Sequence, residues 1–173
     1  MPPPTRPAWN SGDWDDVEAR MNTRFPDDFK DFISTYGSGR VSGYLNVVSP
    51  FKRTEGGQEL ALVSLIKDVT YQLGAYVEDG LMDGSLPVMY PHSEGLLLFG
   101  TSADHHEIFW KTEASPEQWD VVVFTTNLFQ FDHLPGTSMT KFIYDLIAHS
   151  GPLAKKGILV PANFSKREFV PLP

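Results

Sequence analysis

The stretch FPDDFKDFISTYGSGRVSGYL, residues 25–45, decides how this chain folds, because a helical pattern runs directly into three glycines. Apolar residues recur at helical spacing over residues 29–36. Pro26 suits the first helical position, since its nitrogen has no hydrogen that would lack a partner there. Gly37 predicts the end of the helix, because helices commonly close on a glycine in the left-handed conformation.

The same glycines, Gly37, Gly39 and Gly43, are spaced much like a phosphate-binding loop. After Arg40 the residues favour extended structure and predict a strand around residues 43–48. The order is therefore helix, glycines, strand, whereas nucleotide sites need strand, glycines, helix, so that the amides of a helix start face the phosphate. The sequence favours a helix cap over a nucleotide site.

Composition narrows the class of protein. The chain has 173 residues, 41% of them apolar and 13% aromatic, which is ordinary for one globular domain. It has no cysteine, which excludes disulfides and thiolate metal sites. No apolar run reaches the length of a membrane span, and the first residues lack the apolar core of a signal peptide. The predicted location is the cytoplasm.

Helical and extended patterns are segregated along the chain, which predicts an α+β fold: a single domain with an antiparallel sheet flanked by helices. Asp13 is expected to cap a first helix, residues 58–77 give the longest helical pattern, and Thr137 or Ser138 can cap a last one. The predicted strands are residues 86–91, 95–102, 107–112 and 119–125. The predicted organisation is a flexible Pro-rich leader at 1–12, a domain at 13–150 and an extended Pro-rich arm at 151–173.

The net charge of −8 is concentrated in one segment, residues 78–120, where Lys111 is the only basic residue among nine acidic ones. Scattered acids commonly form a solvated face, but this density also predicts a surface for a basic partner. The chain has no strongly basic patch, so nucleic-acid binding is not expected. The predicted partner-binding residues are the nine acids and two adjoining histidines: Glu78, Asp79, Asp83, Glu94, Asp104, His105, His106, Glu107, Glu113, Glu117 and Asp120.

The sequence contains only weak candidates for a metal site or a catalytic site. His105 and His106, with Asp104 and Glu107, are the first metal candidates, but neighbouring residues on extended chain point to opposite faces, and a polar hairpin tip explains them as well. The other histidines are scattered, and adjacent His92 and Ser93 lack the geometry of a nucleophile and base. We therefore predict no catalytic residues, metal or cofactor.

Two blocks of sequence together resemble the SUKH superfamily, the Smi/Knr group of immunity and cell-wall-regulator proteins. The first block runs from a tryptophan and glutamate through the Pro-led helix and its glycines to "SPF"; the second contains "LLLFGTSADHHEIFWKT" and "SPEQWDVVVF". The resemblance spans about residues 14–149, although the family usually has a glycine where His106 stands. The motif positions are Trp14, Glu18, Pro26, Phe29, Phe32, Tyr36, Gly37, Gly39, Pro50, Gly100, Trp110 and Trp119.

The resemblance implies a domain without enzymatic activity. Bacterial members resemble antidotes that bind and block a protein toxin, and these toxins include nucleases, deaminases and other enzymes acting on nucleic acid or protein. Eukaryotic relatives resemble scaffolds in cell-wall signalling. A basic toxin matches the acidic segment, so an immunity protein is the first hypothesis and a regulatory scaffold the alternative. From the residues alone, Trp110 and Trp119 are expected in the core, with a stacking platform as the other interpretation.

Overall fold

One antiparallel sheet organises the computed structural model, which describes residues 1–57, 59–82, 86–157 and 167–172. Its order across the sheet is β6-β5-β4-β3-β2-β1-β7, so strands β1 to β6 each lie beside their neighbours in sequence. The strands within the described residues are β1 Gly39–Val41, β2 Leu45–Val47, β3 Leu96–Ser102, β4 Glu107–Lys111, β5 Asp120–Thr125, β6 Gln130–Leu134 and β7 Phe169–Pro171.

Helices cover both faces of this sheet, which confirms the predicted α+β fold. They are α1 Trp14–Met21, α2 Asp27–Tyr36, α3 Ala61–Glu78, α4 Met139–Ile147 and α5 Gly151–Lys155, with a 3-10 turn at Pro116–Gln118. Within strands, successive side chains point to opposite faces. Phe29 of α2 packs on Trp110, whereas Tyr76 of α3 packs on Phe124, which belongs to the opposite face. Helices α2 and α3 therefore lie on opposite sides of the sheet.

Trp110 lies at the centre of the core and is fully buried. Its ring centroid is 4.5 Å from that of Phe99, 4.9 Å from that of Phe29 and 5.7 Å from that of Trp119. Trp119 is buried as well, and its indole N–H donates to the Glu113 carbonyl at 2.9 Å. Both tryptophans are core residues, as predicted from the residues alone.

The predicted helix caps are present, and Pro26 is shifted by one residue from its predicted position. Asp13 accepts hydrogen bonds from the Asp15 and Asp16 amides, and Ser138 accepts one from the Lys141 amide. Pro26 lies at the cap of α2, one residue before its predicted place in the first turn. The prediction of a helix over residues 58–77 is close to the observed α3.

Gly37 ends α2, as predicted, but not in the left-handed helical conformation. Its φ is 73° and its ψ is −153°, and its amide donates to the Ile33 carbonyl at 2.8 Å. The N-terminal segment crosses it there: a Cβ on Gly37 would lie 2.1 Å from the Ala8 carbonyl oxygen. Only glycine accommodates both this φ/ψ pair and this approach.

Several sequence predictions about strands were wrong. The strand expected at residues 43–48 is present but shorter, as β2, and β1 was not predicted; the two pair in a hairpin that turns at residues 42–44. Residues 86–91 form no strand; Met89 makes only an isolated bridge to Leu96. Strand β6 was not predicted, although it pairs with β5 along its whole length.

The chain ends also differ from expectation. Residues 151–173 were predicted as an extended arm, of which residues 158–166 and 173 lie outside the described residues. In the described part, α5 is a helix and β7 pairs with β1, with Phe169 buried against Tyr36. The expected flexible leader makes contacts too, since Ala8 bridges Gly37 and the Trp9 carbonyl accepts from Ser49 Oγ at 2.6 Å. Burial of Phe169 and backbone pairing favour these ordered contacts.

Within the described residues, none of the helices combines the length and apolarity that crossing a bilayer requires.

Replacing Gly37 by alanine tests the crossing of the N-terminal segment over α2. We expect Gly37→Ala to lower the free energy of unfolding by at least about 3 kcal/mol, from backbone strain plus the clash with Ala8. Urea unfolding followed by circular dichroism measures the change.

Gly43 provides the matched control, because its φ is 69° but a Cβ there meets nothing within 4 Å. Gly43→Ala is expected to cost about 1 kcal/mol, from the positive φ alone. Equal losses for the two variants would contradict a close packing of the leader on Gly37.

Candidate functional site

The first block of motif residues holds the two N-terminal helices together. Glu18 Oε1 accepts from the Phe25 amide at 2.9 Å and pairs with Lys30 Nζ at 2.6 Å. Burial by itself would raise the Glu18 pKa, but the hydrogen bonds from Lys30 and the Phe25 amide outweigh it and keep that pKa below its usual value. Trp14 packs edge-on against Phe51, with 4.7 Å between ring centroids. These residues fix how α1 meets α2.

The motif glycines and Tyr36 allow close packing of backbone segments. A Cβ on Gly39 would lie 2.5 Å from the Val170 carbonyl oxygen, and one on Gly100 would lie 2.8 Å from the Asn46 carbonyl oxygen. Tyr36 donates to the Met1 carbonyl at 2.8 Å. Together with buried Pro50 and the two core tryptophans, these positions build the frame and do not converge on a reactive centre.

The predicted acidic surface divides between two ends of the sheet. Glu94 precedes β3, and Glu113 follows β4, the antiparallel neighbour of β3, so both lie at one end. Asp104 lies in the β3–β4 turn at the other end. The seven residues of β3 separate the two ends by about 23 Å. Asp83 lies outside the described residues.

Carboxylates at the first of these ends already have partners within the protein. Glu117 accepts from the Asp27 amide at 2.9 Å and so caps α2 from a distant part of the chain. Asp120 accepts from the Gly136 amide at 2.8 Å and contacts His133 Nε2 at 2.9 Å. Glu113 lies 3.4 Å from Lys111 Nζ. These acids contribute to structure, so they are less suited to meeting a partner.

We call the opposite end the loop end and define it as residues 78–81, 103–106 and 126–129. The two turns are joined, since the Thr126 hydroxyl donates to the His105 carbonyl and the Thr126 amide donates to His106 Nδ1. Phe129 packs edge-on against Tyr76, which brings the end of α3 to the same place. Glu78, Asp79, Asp104 and His105 are exposed there.

Two residues predicted for the surface are buried instead. His106 is 7% exposed and Glu107 is 6% exposed, because β4 begins here between β3 and β5 and both side chains are covered. Burial lowers the pKa of His106, and the neutral ring accepts the Thr126 amide hydrogen through Nδ1. Neither residue can form part of a flat protein–protein contact.

The register of four strands aligns a row of polar side chains on the α3 face of the sheet. Arg40 pairs with Asn46, Asn46 with Thr101, and Thr101 with Glu107. Arg40 Nε donates to Asn46 Oδ1 at 2.7 Å, and Asn46 Nδ2 donates to Thr101 Oγ1 at 3.4 Å. We call these four residues the polar row.

A cleft of about 520 Å³ lies between the polar row and α3. From α3 it is lined by Leu65, Asp68, Val69 and Gln72. Glu107 closes one end of the row, and within the described residues its Oε2 has no hydrogen-bond partner. Burial raises the pKa of Glu107 to about 7. This site was not predicted from the sequence, because the four residues form a row only through the pairing of β1 to β4.

The metal interpretation of Asp104, His105, His106 and Glu107 finds no geometric support. Among the residues that the structure describes, no three histidine, aspartate or glutamate side chains are grouped as metal ligands would be. His106 Nδ1 is occupied by the Thr126 amide, and Glu107 faces the cleft.

Glu107 makes the stability of the protein depend on pH. The folded protein favours the protonated carboxyl, so this contribution is fully present below about pH 4.5 and is lost as the pH rises through about 7. Glu107→Gln keeps the shape and cannot ionise. At pH 8 we expect it to exceed the unsubstituted protein in free energy of unfolding by up to about 3 kcal/mol, an advantage that shrinks towards pH 4.5.

Urea unfolding at several pH values measures this difference. Exposed Glu94 offers the control, and the Glu94→Gln curve is expected to follow that of the unsubstituted protein. A Glu107→Gln curve parallel to the unsubstituted one across this range would show that Glu107 is not desolvated.

Comparison with known proteins identifies the family. The model of the SMI1 / KNR4 family (SUKH-1) matches residues 10–145, which include α1 to α3, β1 to β6 and most of α4. Helix α5 and strand β7 lie beyond the matched residues. No curated protein and no solved structure matches the chain. By its motif residues, its fold and this match, the chain belongs to the SMI1 / KNR4 (SUKH-1) family.

Proposed function

We propose that this protein is a non-catalytic immunity protein that binds and neutralises a protein toxin through the loop end. Family membership supports the general role, since members are often immunity proteins and are generally without catalytic activity. The toxin is a basic protein, such as a nuclease, because the proposed contact surface is acidic. The proposed place of action is the cytoplasm.

The observation that carries this proposal is the combination of acidic and apolar side chains exposed at the loop end. Leu128 in the β5–β6 turn is 54% exposed, and Leu81 after α3 is 49% exposed. Exposed Glu78, Asp79 and Asp104 lie on the same segments. Apolar anchors surrounded by charge are typical of protein interfaces, where the anchors supply affinity and the charges supply rate.

Two of these acids lie at a helix end where the helix dipole disfavours negative charge. Glu78 ends α3 and Asp79 is its C-cap, where the helix dipole is negative, and the last turn of α3 contains no basic residue. Carboxylates at this end of a helix typically cost a few tenths of a kcal/mol to about 1 kcal/mol. A surface that tolerates such a cost for negative charge is consistent with a role in attracting a basic partner.

Glu107 is not part of this contact surface. Its side chain is buried, so replacing it with lysine would bury an unpaired charge and disrupt the fold rather than test binding.

Charge reversal at the loop end tests the proposal. A candidate toxin encoded beside this protein is co-expressed with it, and growth rescue, toxin inhibition and association rate are measured. For the triple variant Glu78→Lys, Asp79→Lys and Asp104→Lys, we expect association to slow by about tenfold to a hundredfold at low salt, with loss of rescue.

The matched control reverses three exposed acids elsewhere: Asp31→Lys, Glu55→Lys and Glu94→Lys. It has the same net charge as the loop-end variant, so only the position of the charge differs. We expect rescue to persist and the rate to change far less. Equal effects of the two triple variants would contradict a loop-end interface, and stable binding without inhibition would favour the regulatory scaffold.

A further inference from the structure

The cleft over the polar row has an acidic side chain, Glu107, at one end and a basic side chain, Arg40, at the other. At one end, Oε2 of Glu107 lacks any described hydrogen-bond partner although the residue is only 6% exposed. Buried polar atoms are nearly always hydrogen-bonded, and leaving one unpaired typically costs about 1–3 kcal/mol. A ligand with an N–H donor would remove this cost, and an ammonium group would also favour the ionised carboxylate.

Arg40 is the basic group at the other end of the row. Arg40 is half-buried, and its Nε–H donates to Asn46 Oδ1. No described carboxylate forms an ion pair with it. The two terminal nitrogens of a guanidinium suit a carboxylate in a two-pronged arrangement. The Arg40 end of the cleft is therefore suited to a small anionic group.

The dimensions of the cleft fit a small molecule. Its volume of about 520 Å³ lies in the range of ligand pockets. Arg40 and Glu107 stand three strands apart in the row, so their backbones are about 14 Å apart. The Arg40 side chain leans towards β2 through its bond to Asn46, which shortens the gap between the two charged ends.

The walls are mixed in polarity, as a peptide-like ligand requires. Leu65 and Val69 offer apolar contact from α3, while Gln72 and Thr101 offer hydrogen-bonding groups. Asp68 and His105 also line the cleft, and the negative charge of Asp68 favours a cationic group nearby.

We propose that this cleft binds a small zwitterion of the amino-acid or short-peptide class, with its ammonium group on Glu107 and its carboxylate on Arg40. This binding site borders the loop-end contact surface, with which it shares Ala103 and His105, but it does not depend on the immunity role.

Glycine, glycylglycine and triglycine serve as probes of increasing length, titrated into the full chain labelled with ¹⁵N and followed by NMR. The amides of Thr101, Glu107 and Gln72 are expected to shift saturably for at least one probe. N-acetylation of that probe removes the ammonium group, and C-terminal amidation removes the carboxylate. Each change should weaken binding about tenfold or more.

Matched variants assign each group to its side chain. Glu107→Gln is expected to weaken the zwitterion about tenfold and to bind the acetylated probe no worse than the unsubstituted protein does, whereas Arg40→Gln should abolish discrimination against the amide. Leu65→Trp, which fills the cleft from α3, should block all probes. Glu113→Gln, at the other end of the sheet, should leave binding unchanged.

Calorimetry in two buffers of different ionisation enthalpy gives an independent readout. Because the pKa of Glu107 is about 7, binding of an ammonium group at pH 7 should release about half a proton, and Glu107→Gln should remove that release. The proposal is overturned if none of the three probes shifts the cleft amides at millimolar concentration. It is equally overturned if Glu107→Gln and Arg40→Gln bind as the unsubstituted protein does.

Discussion

The packing of the Trp110 ring is the constraint on which the rest of the structure depends. It contacts Phe29 from α2, Phe99 from β3 and Trp119 beside β5, so one side chain ties the helical layer to the middle of the sheet. Full burial of such a ring contributes on the order of several kcal/mol, and packing with other aromatic rings adds to it. Glu18 supports the same arrangement, because its bonds to the Phe25 amide and Lys30 hold α1 and α2 in the geometry that brings Phe29 onto Trp110. With the centre fixed in this way, the turns at the ends of the strands are fixed as well.

Features that depend on neighbouring residues were predictable from the sequence, and those that depend on distant pairing were not. Short windows of sequence contain the signals for the helical periodicity of α3, the cap of α1 by Asp13 and the strands β3 to β5. Strand β6 has a mixed pattern at the sheet edge, and β7 is three residues long and exists because β1 accepts it as a partner. Neither strand has a strong pattern in its own residues, because each is stabilised by hydrogen bonds to a strand that lies elsewhere in the sequence.

At the candidate site, too, the acidic residues were predictable from the sequence, whereas their positions depend on the pairing of distant strands. Sequence reasoning found the acidic segment, but it treated residues 78–120 as one surface, while the antiparallel pairing of β3 and β4 sends Glu94 and Asp104 to opposite ends. It placed Glu107 on the outside because an acid beside two histidines looks like a hairpin tip. In the structure Glu107 follows the turn, is covered as the first residue of β4, and faces α3 across the cleft. Burying a carboxyl is costly when, as for Glu107 Oε2, no hydrogen-bond partner lies among the described residues, and this cost is the reason for placing the proposed ligand on Glu107.

Amide hydrogen exchange on the complex is the most direct test of the proposed contact between the loop end and a partner protein. Exchange is measured for the free protein and for its complex with the toxin found by co-expression. If the partner binds the loop end, exchange slows at residues 78–81, 103–106 and 126–129, with little change beside Glu94, Glu113 and Glu117. Protection confined to the end that carries Glu94, Glu113 and Glu117, with the loop end unchanged, would contradict it.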